Sequence, residues 1–299
     1  MPSCKTGARF SPGRHMSDYL LIDTPAALAQ CCNELASSQW LAVDTEFERV
    51  NTYYPKLCLV QLASAQQSYI VDPILLDDIG PLIDLLYNTS ITKVLHSAHQ
   101  DLEIFFNLTG NVPSPLYDTQ LAAPLYNYNK GIGYGNLVKE ALDIDLEKGH
   151  ARTDWTRRPL KDAQLRYAAD DVIYLARIYQ LFQEKQQQEN AARLEQLFSV
   201  LYKPETYLPD PERMWKKIFA ARRLKGKSLD AVKRLAAWRE LTAREQNLPR
   251  KWLLADHALV EIAKRLPTSV EEFTAIDKIS DKMARRYASA WMEILSEYR

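Results

Sequence analysis

Leu41-Ala42-Val43-Asp44-Thr45-Glu46-Phe47 is a short apolar run that ends by presenting two carboxylates two residues apart. Side chains alternate along an extended chain, so Asp44 and Glu46 leave the same face of the sheet this strand enters. A lone Asp-x-Glu is usually just a solvated pair. Its meaning depends on whether other acids are aimed the same way.

Working outward, Thr24-Pro25 opens a helical pattern that runs to about Leu35, with Thr24 as N-cap and Pro25 at the first helical position. After the strand at 40–47, the runs 57–63 and 68–72 read as its neighbours in a hairpin arrangement. A helix near 78–87 and a strand at 92–96 follow. This alternation is an α/β pattern with some antiparallel pairing at its start.

Ser97 and Gln100 have the spacing of a capping box, which places Asp101 in the first turn of the next helix, on a stripe with Phe105 and Leu108. The glycine-rich turn at 131–135 follows a helix and lacks phosphate-loop spacing, so it reads as a connection. A basic loop, 148–160, precedes the longest helical pattern, from about Lys161 to Gln188. There Tyr167, Asp171, Tyr174, Leu175 and Ile178 form an apolar stripe interrupted by one carboxylate. Asp170, beside Arg166 and Arg177, is expected to face outward in ion pairs.

Pro204, Pro209 and Pro211 mark a linker. The segment from Arg213 to Lys227 carries seven Lys or Arg and no acid, and the chain is helical in pattern from Ser228 onward. Residues 1–16 are basic and aperiodic, and are expected to be a flexible leader, with Met16 a second candidate start. The expected organisation is a leader (1–16), an α/β domain (17–200), a basic linker or helix (201–226) and an all-α domain (227–299).

The 299 residues are 46% hydrophobic and 25% charged, an ordinary globular composition. Cys4, Cys31, Cys32 and Cys58 lack a C-x-x-C spacing and read as reduced thiols, which favours a cytoplasmic location, and no run is long enough for a membrane span. The net charge of zero hides a division: residues 1–202 hold 17 Lys and Arg against 24 Asp and Glu, while residues 203–299 hold 21 against 14. Such a division suits an anionic partner at the basic end and bound cations at the acidic end.

The inward acids are therefore Asp44, Glu46, Asp101 and Asp171, with Tyr167 beside the last. Two like charges about 5 Å apart at an effective dielectric near 20 repel by roughly 3 kcal/mol. Four gathered carboxylates must either protonate in part or hold cations. All-carboxylate ligation suits hard ions such as Mg²⁺ or Mn²⁺, and two such ions about 4 Å apart can activate water for an in-line displacement at phosphorus.

Asp44-Thr-Glu46, the segment Lys93-Val-Leu-His-Ser-Ala-His-Gln-Asp101-Leu-Glu103 and Tyr167-Ala-Ala-Asp-Asp171 resemble the three motifs of the DEDD exonuclease superfamily in its tyrosine form. The surrounding text over about residues 18–200 is similar to ribonuclease D. Residues 231–241 and 247–256 resemble the helicase-and-ribonuclease-D C-terminal (HRDC) domain. Some members of the family carry two such helical domains, and one is legible here.

The resemblance implies an α/β, ribonuclease-H-like exonuclease domain with a mixed sheet flanked by helices, followed by an all-α HRDC domain. It implies 3′–5′ hydrolysis of RNA from a free 3′ end to nucleoside 5′-monophosphates, with tRNA precursors as the expected substrate and two Mg²⁺ or Mn²⁺ ions as cofactors. Asp44, Glu46, Asp101 and Asp171 would hold the metals, and Tyr167 would orient the attacking water.

Thr45 and Phe47 would meet the terminal nucleotide, and Arg157 and Arg158 would contact phosphate. Tyr53, Tyr54 and Trp155 are stacking candidates. Lys216, Lys217, Arg222, Arg223, Lys225 and Lys227 are candidates for sequence-independent phosphate contact. His96 and His99 are expected to be structural. Two alternatives stay open: a DNA exonuclease of the same superfamily, since acids and a tyrosine do not sense a 2′-hydroxyl, and a non-catalytic RNA-binding protein.

Overall fold

The computed structural model describes residues 19–147, 149, 153–186 and 190–298. The expected leader at 1–16, and the start of the basic loop at Lys148 and His150, fall outside these.

The elements in chain order are β1 (Tyr19–Ile22), α1 (Pro25–Leu35), β2 (Trp40–Glu48), β3 (Lys56–Ala63), β4 (Ser68–Val71), α2 (Gly80–Tyr87), β5 (Thr92–Leu95), α3 (His99–Thr109), β6 (Leu116–Asp118), α4 (Thr119–Ala122), α5 (Tyr134–Leu142), α6 (Asp162–Glu184) and α7 (Asn190–Phe198). The C-terminal helices are α8 (Gly226–Glu245), α9 (Arg250–Leu253), α10 (Asp256–Arg265), α11 (Val270–Thr274) and α12 (Asp281–Ser296).

Six strands form one mixed sheet in the order β1-β4-β3-β2-β5-β6. β3 and β4 are an antiparallel hairpin with Val60 opposite Val71, while β2 runs parallel to β5 and β5 parallel to β6. Strand β2 lies inside the sheet, and Leu41, Ala42 and Val43 are all at most 1% exposed. That double-sided burial is why the run reads as continuous apolar sequence rather than as alternation. Only where the strand nears its end does alternation appear, with Thr45 buried between half-buried Asp44 and Glu46.

The short strands β1 and β6 were not expected, because four and three residues are too few to show a period. Thr24 caps α1 as expected, accepting from Ala27 N at 3.3 Å. Ser97 does not cap α3. It adopts a left-handed conformation, φ 58°, and the carboxylate of Asp118 accepts from Ser97 N at 3.2 Å and Ala98 N at 2.9 Å instead. A charged acceptor brought by β6 thus holds the backbone at residues 97 and 98, and also caps α4 by accepting from Gln120 N and Leu121 N.

The chain divides into two compact units. The first comprises described residues up to 46, 57–98 and 113–198; the second comprises 47–56, 99–112 and 199–299. In the first, α6 packs on β4 and β5. A cluster of Cys58, Leu59, Ile70, Trp155, Leu165, Ala168, Ala169 and Ile173 carries Tyr167 at its edge.

In the second unit, Ala231, Val232 and Leu235 of α8, Leu259 and Ile262 of α10 and Trp291 of α12 share a core. The segment expected as a basic linker or helix at 201–226 is folded. It runs through 3₁₀ turns at Pro204–Thr206, Pro211–Lys217 and Phe219–Arg223, and Met214, Ile218 and Ala221 enter the same core. Among the described residues no helix is long and apolar enough to cross a membrane.

Candidate active site

Strand β2 delivers Asp44 and Glu46, and α6 delivers Asp171. Ligand-capable oxygens of these three carboxylates all lie within 4.8 Å of one another. At that separation each ionised pair repels by about 3 kcal/mol at an effective dielectric near 20. The donor set is wholly oxygen and half-buried, with no Cys or His in the group, and so fits a hard divalent cation and disfavours zinc.

Asp101 sits in the first turn of α3, 7% exposed, in the second unit. It shares the buried face of that helix with Leu102 and Phe105, while Leu108, expected on the same stripe, is 52% exposed. The buried face thus follows positions 101, 102, 104 and 105 rather than 101, 105 and 108.

Tyr167 stands one helical turn before Asp171. Burial, then the charges of Asp171, Glu46 and Asp44, and a hydrogen bond with Asp171 push its hydroxyl well above the ordinary tyrosine value. It is a neutral phenol throughout the physiological range. Its ring is inclined by 30° to that of buried Trp155, 6.2 Å between centroids. Trp155 is 2% exposed and therefore supports the site from the core instead of lining a channel.

Asp170 does not face outward in ion pairs. It lines a cavity of about 460 Å³ together with Asp145, Glu147, Arg166, Tyr167, Asp171 and Tyr174. Burial, with the charge of Glu147, pushes its carboxyl up to about 6. Arg177, its expected partner, lies over the Tyr174 ring at 5.8 Å.

Arg158, expected to contact phosphate, has its five donors engaged within the protein. Nε and Nη2 grip Asp72 at 2.5 and 2.7 Å, Nη1 donates to the carbonyls of Trp155 and Arg157 at 2.7 and 2.8 Å, and Nη2 also donates to Cys58 O at 2.9 Å. Arg157 differs: its side chain is 84% exposed and paired with Asp154 at 3.0 Å. Thr45 is 6% exposed, which turns its hydroxyl away from the face of Asp44 and Glu46. Phe47 is half-buried, with the Arg49 guanidinium 5.9 Å from its ring centroid.

The rings of Tyr53 and Tyr54 meet edge to face, 4.8 Å between centroids. Tyr53 donates to Glu240 at 2.5 Å, and the backbone N–H groups of both tyrosines donate to Asn247 Oδ1 at 3.1 and 3.0 Å. His96 is structural as expected, its Nδ1 3.0 Å from Thr119 Oγ1, and burial holds it below the usual histidine range.

Tyr134 is the site residue that sequence reasoning missed. Its hydroxyl donates to the carbonyl of Asp171 at 2.5 Å and reaches that of Asp170 at 3.2 Å, pinning the turn of α6 that presents the carboxylate. It comes from the glycine-rich turn read as a connection, and nothing at its own position signals a partner 37 residues away.

The family profile described as 3′-5′ exonuclease matches residues 19–187, and that described as HRDC domain matches residues 228–295. Ribonuclease D of Pseudomonas paraeruginosa is 39% identical over 276 residues, covering 92% of this chain and 73% of that protein. Ribonuclease D of Sphingobium indicum is 41% identical over 268 residues, covering 89% and 69%. The crystal structure of Escherichia coli RNase D, described as an exoribonuclease involved in structured RNA processing, matches with TM-score 0.83 and 32% identity over 94% of this chain and 75% of that one. A structure of Brucella melitensis NrnC with bound Mg²⁺ matches 64% of this chain and 91% of its own at TM-score 0.52 and 25% identity.

Proposed function

The chain belongs to the ribonuclease D family and is a 3′–5′ exoribonuclease, and on that premise we propose that it trims the free 3′ ends of RNA precursors, tRNA foremost, in the cytoplasm by two-metal hydrolysis. The observation that carries the reading is the meeting of Asp44, Glu46 and Asp171 within 4.8 Å beside a neutral Tyr167. The motif resemblance gives the role of fourth carboxylate to Asp101, a buried acid in the first turn of α3.

In the proposed reaction Asp44, Glu46 and Asp171, with Asp101 by resemblance, would hold two divalent cations, Mg²⁺ or Mn²⁺. Such ions, held there, would supply acidification of the attacking water and neutralisation of the charge that builds at the scissile phosphate. Tyr167, too weakly acidic to ionise, orients the attacking water through its hydroxyl rather than acting as a base. Water oxygen bonds to phosphorus, and the bond from phosphorus to the preceding 3′ oxygen breaks. The departing unit is a nucleoside 5′-monophosphate, and the shortened chain keeps a 3′-hydroxyl. Phe47 and the backbone of Thr45 meet the terminal nucleotide, and Arg157 meets phosphate.

The test is a 3′-labelled tRNA precursor incubated with Mg²⁺ or Mn²⁺ and the full chain. Labelled nucleoside 5′-monophosphate is the expected product, and Asp44→Asn should reduce its release to background with an unchanged circular dichroism spectrum. An unchanged rate in that variant would remove this site from the reaction. Tyr167→Phe should lower kcat by about a hundredfold or more with little change in KM, as expected for a group that acts in the chemical step.

A further inference from the structure

The strongest unexplained surface lies in the folded linker ahead of α8. Met214, Ile218 and Ala221 point into the core of the second unit, at 4%, 1% and 0% exposure. The other side of the same turns carries Arg213, Lys216, Lys217, Phe219, Arg222 and Arg223, all exposed. Phe219 is 69% exposed, the highest value among the large apolar side chains described.

A bare ring costs solubility, and this one is surrounded by cations. The guanidinium carbons of Arg223 and Arg222 stand 5.7 and 6.0 Å from its centroid. Arg222 is held there by donation from Nε and Nη2 to the Lys216 carbonyl at 3.3 and 3.2 Å. Among the described residues none of the five cations on this face joins a salt bridge, and the segment 213–227 contains no acid. The face therefore offers a π plane flanked by positive charge that the protein itself does not neutralise. The complementary ligand has flat rings spaced along a chain of anions, which is the chemistry of unpaired RNA.

We propose that this face is an RNA-docking platform, on which an unpaired base stacks on Phe219 while Arg222, Arg223, Lys216 and Lys217 take the neighbouring phosphates. The inference rests on the reading that RNA is the substrate, and it assigns part of substrate affinity to residues other than the carboxylates. Stacking of one base on an aromatic ring typically changes affinity by about five- to a hundredfold. Each phosphate contact to a single strand steepens the dependence of log K on log salt by about 0.7.

The experiment measures binding of the full chain to a fluorescein-labelled 30-nucleotide oligouridine in EDTA, where trimming is off, and trimming of that RNA and of a diuridine in Mg²⁺. Phe219→Ala should weaken binding of the 30-mer at least fivefold, Phe219→Trp should restore it, and the double substitution Arg222→Glu with Arg223→Glu should flatten the salt slope by about 1.4. All three should trim diuridine at the wild-type rate, because two nucleotides have no tail to dock. Unchanged affinity and slope in both Phe219→Ala and the charge-reversed protein would overturn the proposal. A shift in oligomeric state by light scattering with unchanged RNA affinity would also overturn it, pointing to a protein contact. Absence of trimming by the wild type in Mg²⁺ would instead defeat the nuclease reading, while the EDTA titration still decides the platform.

Discussion

Arg157 and Arg158 are adjacent in sequence and differently placed, and the difference lies in Asp72. That carboxylate is 2% exposed and is met by the Arg158 fork in two places. Removing one partner of such a pair leaves a buried charge and costs about 3–5 kcal/mol. Arg158→Ala should thus lower the urea midpoint sharply, whereas Arg157→Ala should leave it in place and raise KM for RNA.

Tyr134→Phe removes one hydrogen bond from the Asp171 carbonyl, a loss of about 1 kcal/mol, and should lower kcat with the fold retained, measured by trimming and by melting. The acids on β2 and the Tyr167–Asp171 pair were legible in the sequence because their spacings, two and four, are the periods of the elements that carry them. Asp72 and Tyr134 were not, since their partners lie 86 and 37 residues away and no local period links them.

Among the elements, α8 carries the most buried acid of the C-terminal unit. Glu240 is 0% exposed and accepts from Tyr53, from Arg244 at 3.0 Å and from Arg250 at 2.9 Å. Burial alone would raise its carboxyl, but the hydrogen bonds from Arg250 and Tyr53 and the charges of Arg250 and Arg244 outweigh it and hold the group below the usual carboxylate range. A depressed folded value means that the stabilisation is complete above the unfolded value near 4.5 and is lost as pH falls through the lower folded value. Urea midpoints taken from pH 7 to pH 3 should therefore drop more steeply for the wild type than for Glu240→Gln.

The helices α1, α6 and α8 were readable from apolar periodicity and, for α1, from its cap. The 3₁₀ turns of the segment 201–226 were not legible, because its prolines fit a linker as well as such turns, and because only tertiary packing reveals which of its apolar residues turn inward.

At the scale of the whole molecule, the gathered carboxylates tie folding to cation supply. Without cations Asp44, Glu46 and Asp171 repel one another, so an ion that binds only the folded chain stabilises it by mass action, about 2.7 kcal/mol at a hundredfold excess over Kd. Calorimetric scans in EDTA and in excess Mg²⁺ should differ accordingly, and Asp171→Asn should narrow the gap. The fold class was legible because strand and helix patterns alternate up to about residue 200 and then become helical throughout. The division into units was not, because it depends on which segments come to rest together.

That interleaving bears on how such a chain can be dissected. Strand β2 runs from Trp40 to Glu48, while residues 47–56 belong with the C-terminal helices, where Asn247 receives two backbone N–H groups and Glu240 the Tyr53 hydroxyl. A truncation at residue 200, where a linear reading would cut, strips those anchors from the stretch immediately following Glu46. The excised N-terminal fragment would keep Asp44 and Glu46 on a strand whose outgoing residues have lost those partners, and it should trim RNA more slowly than the full chain in the same assay.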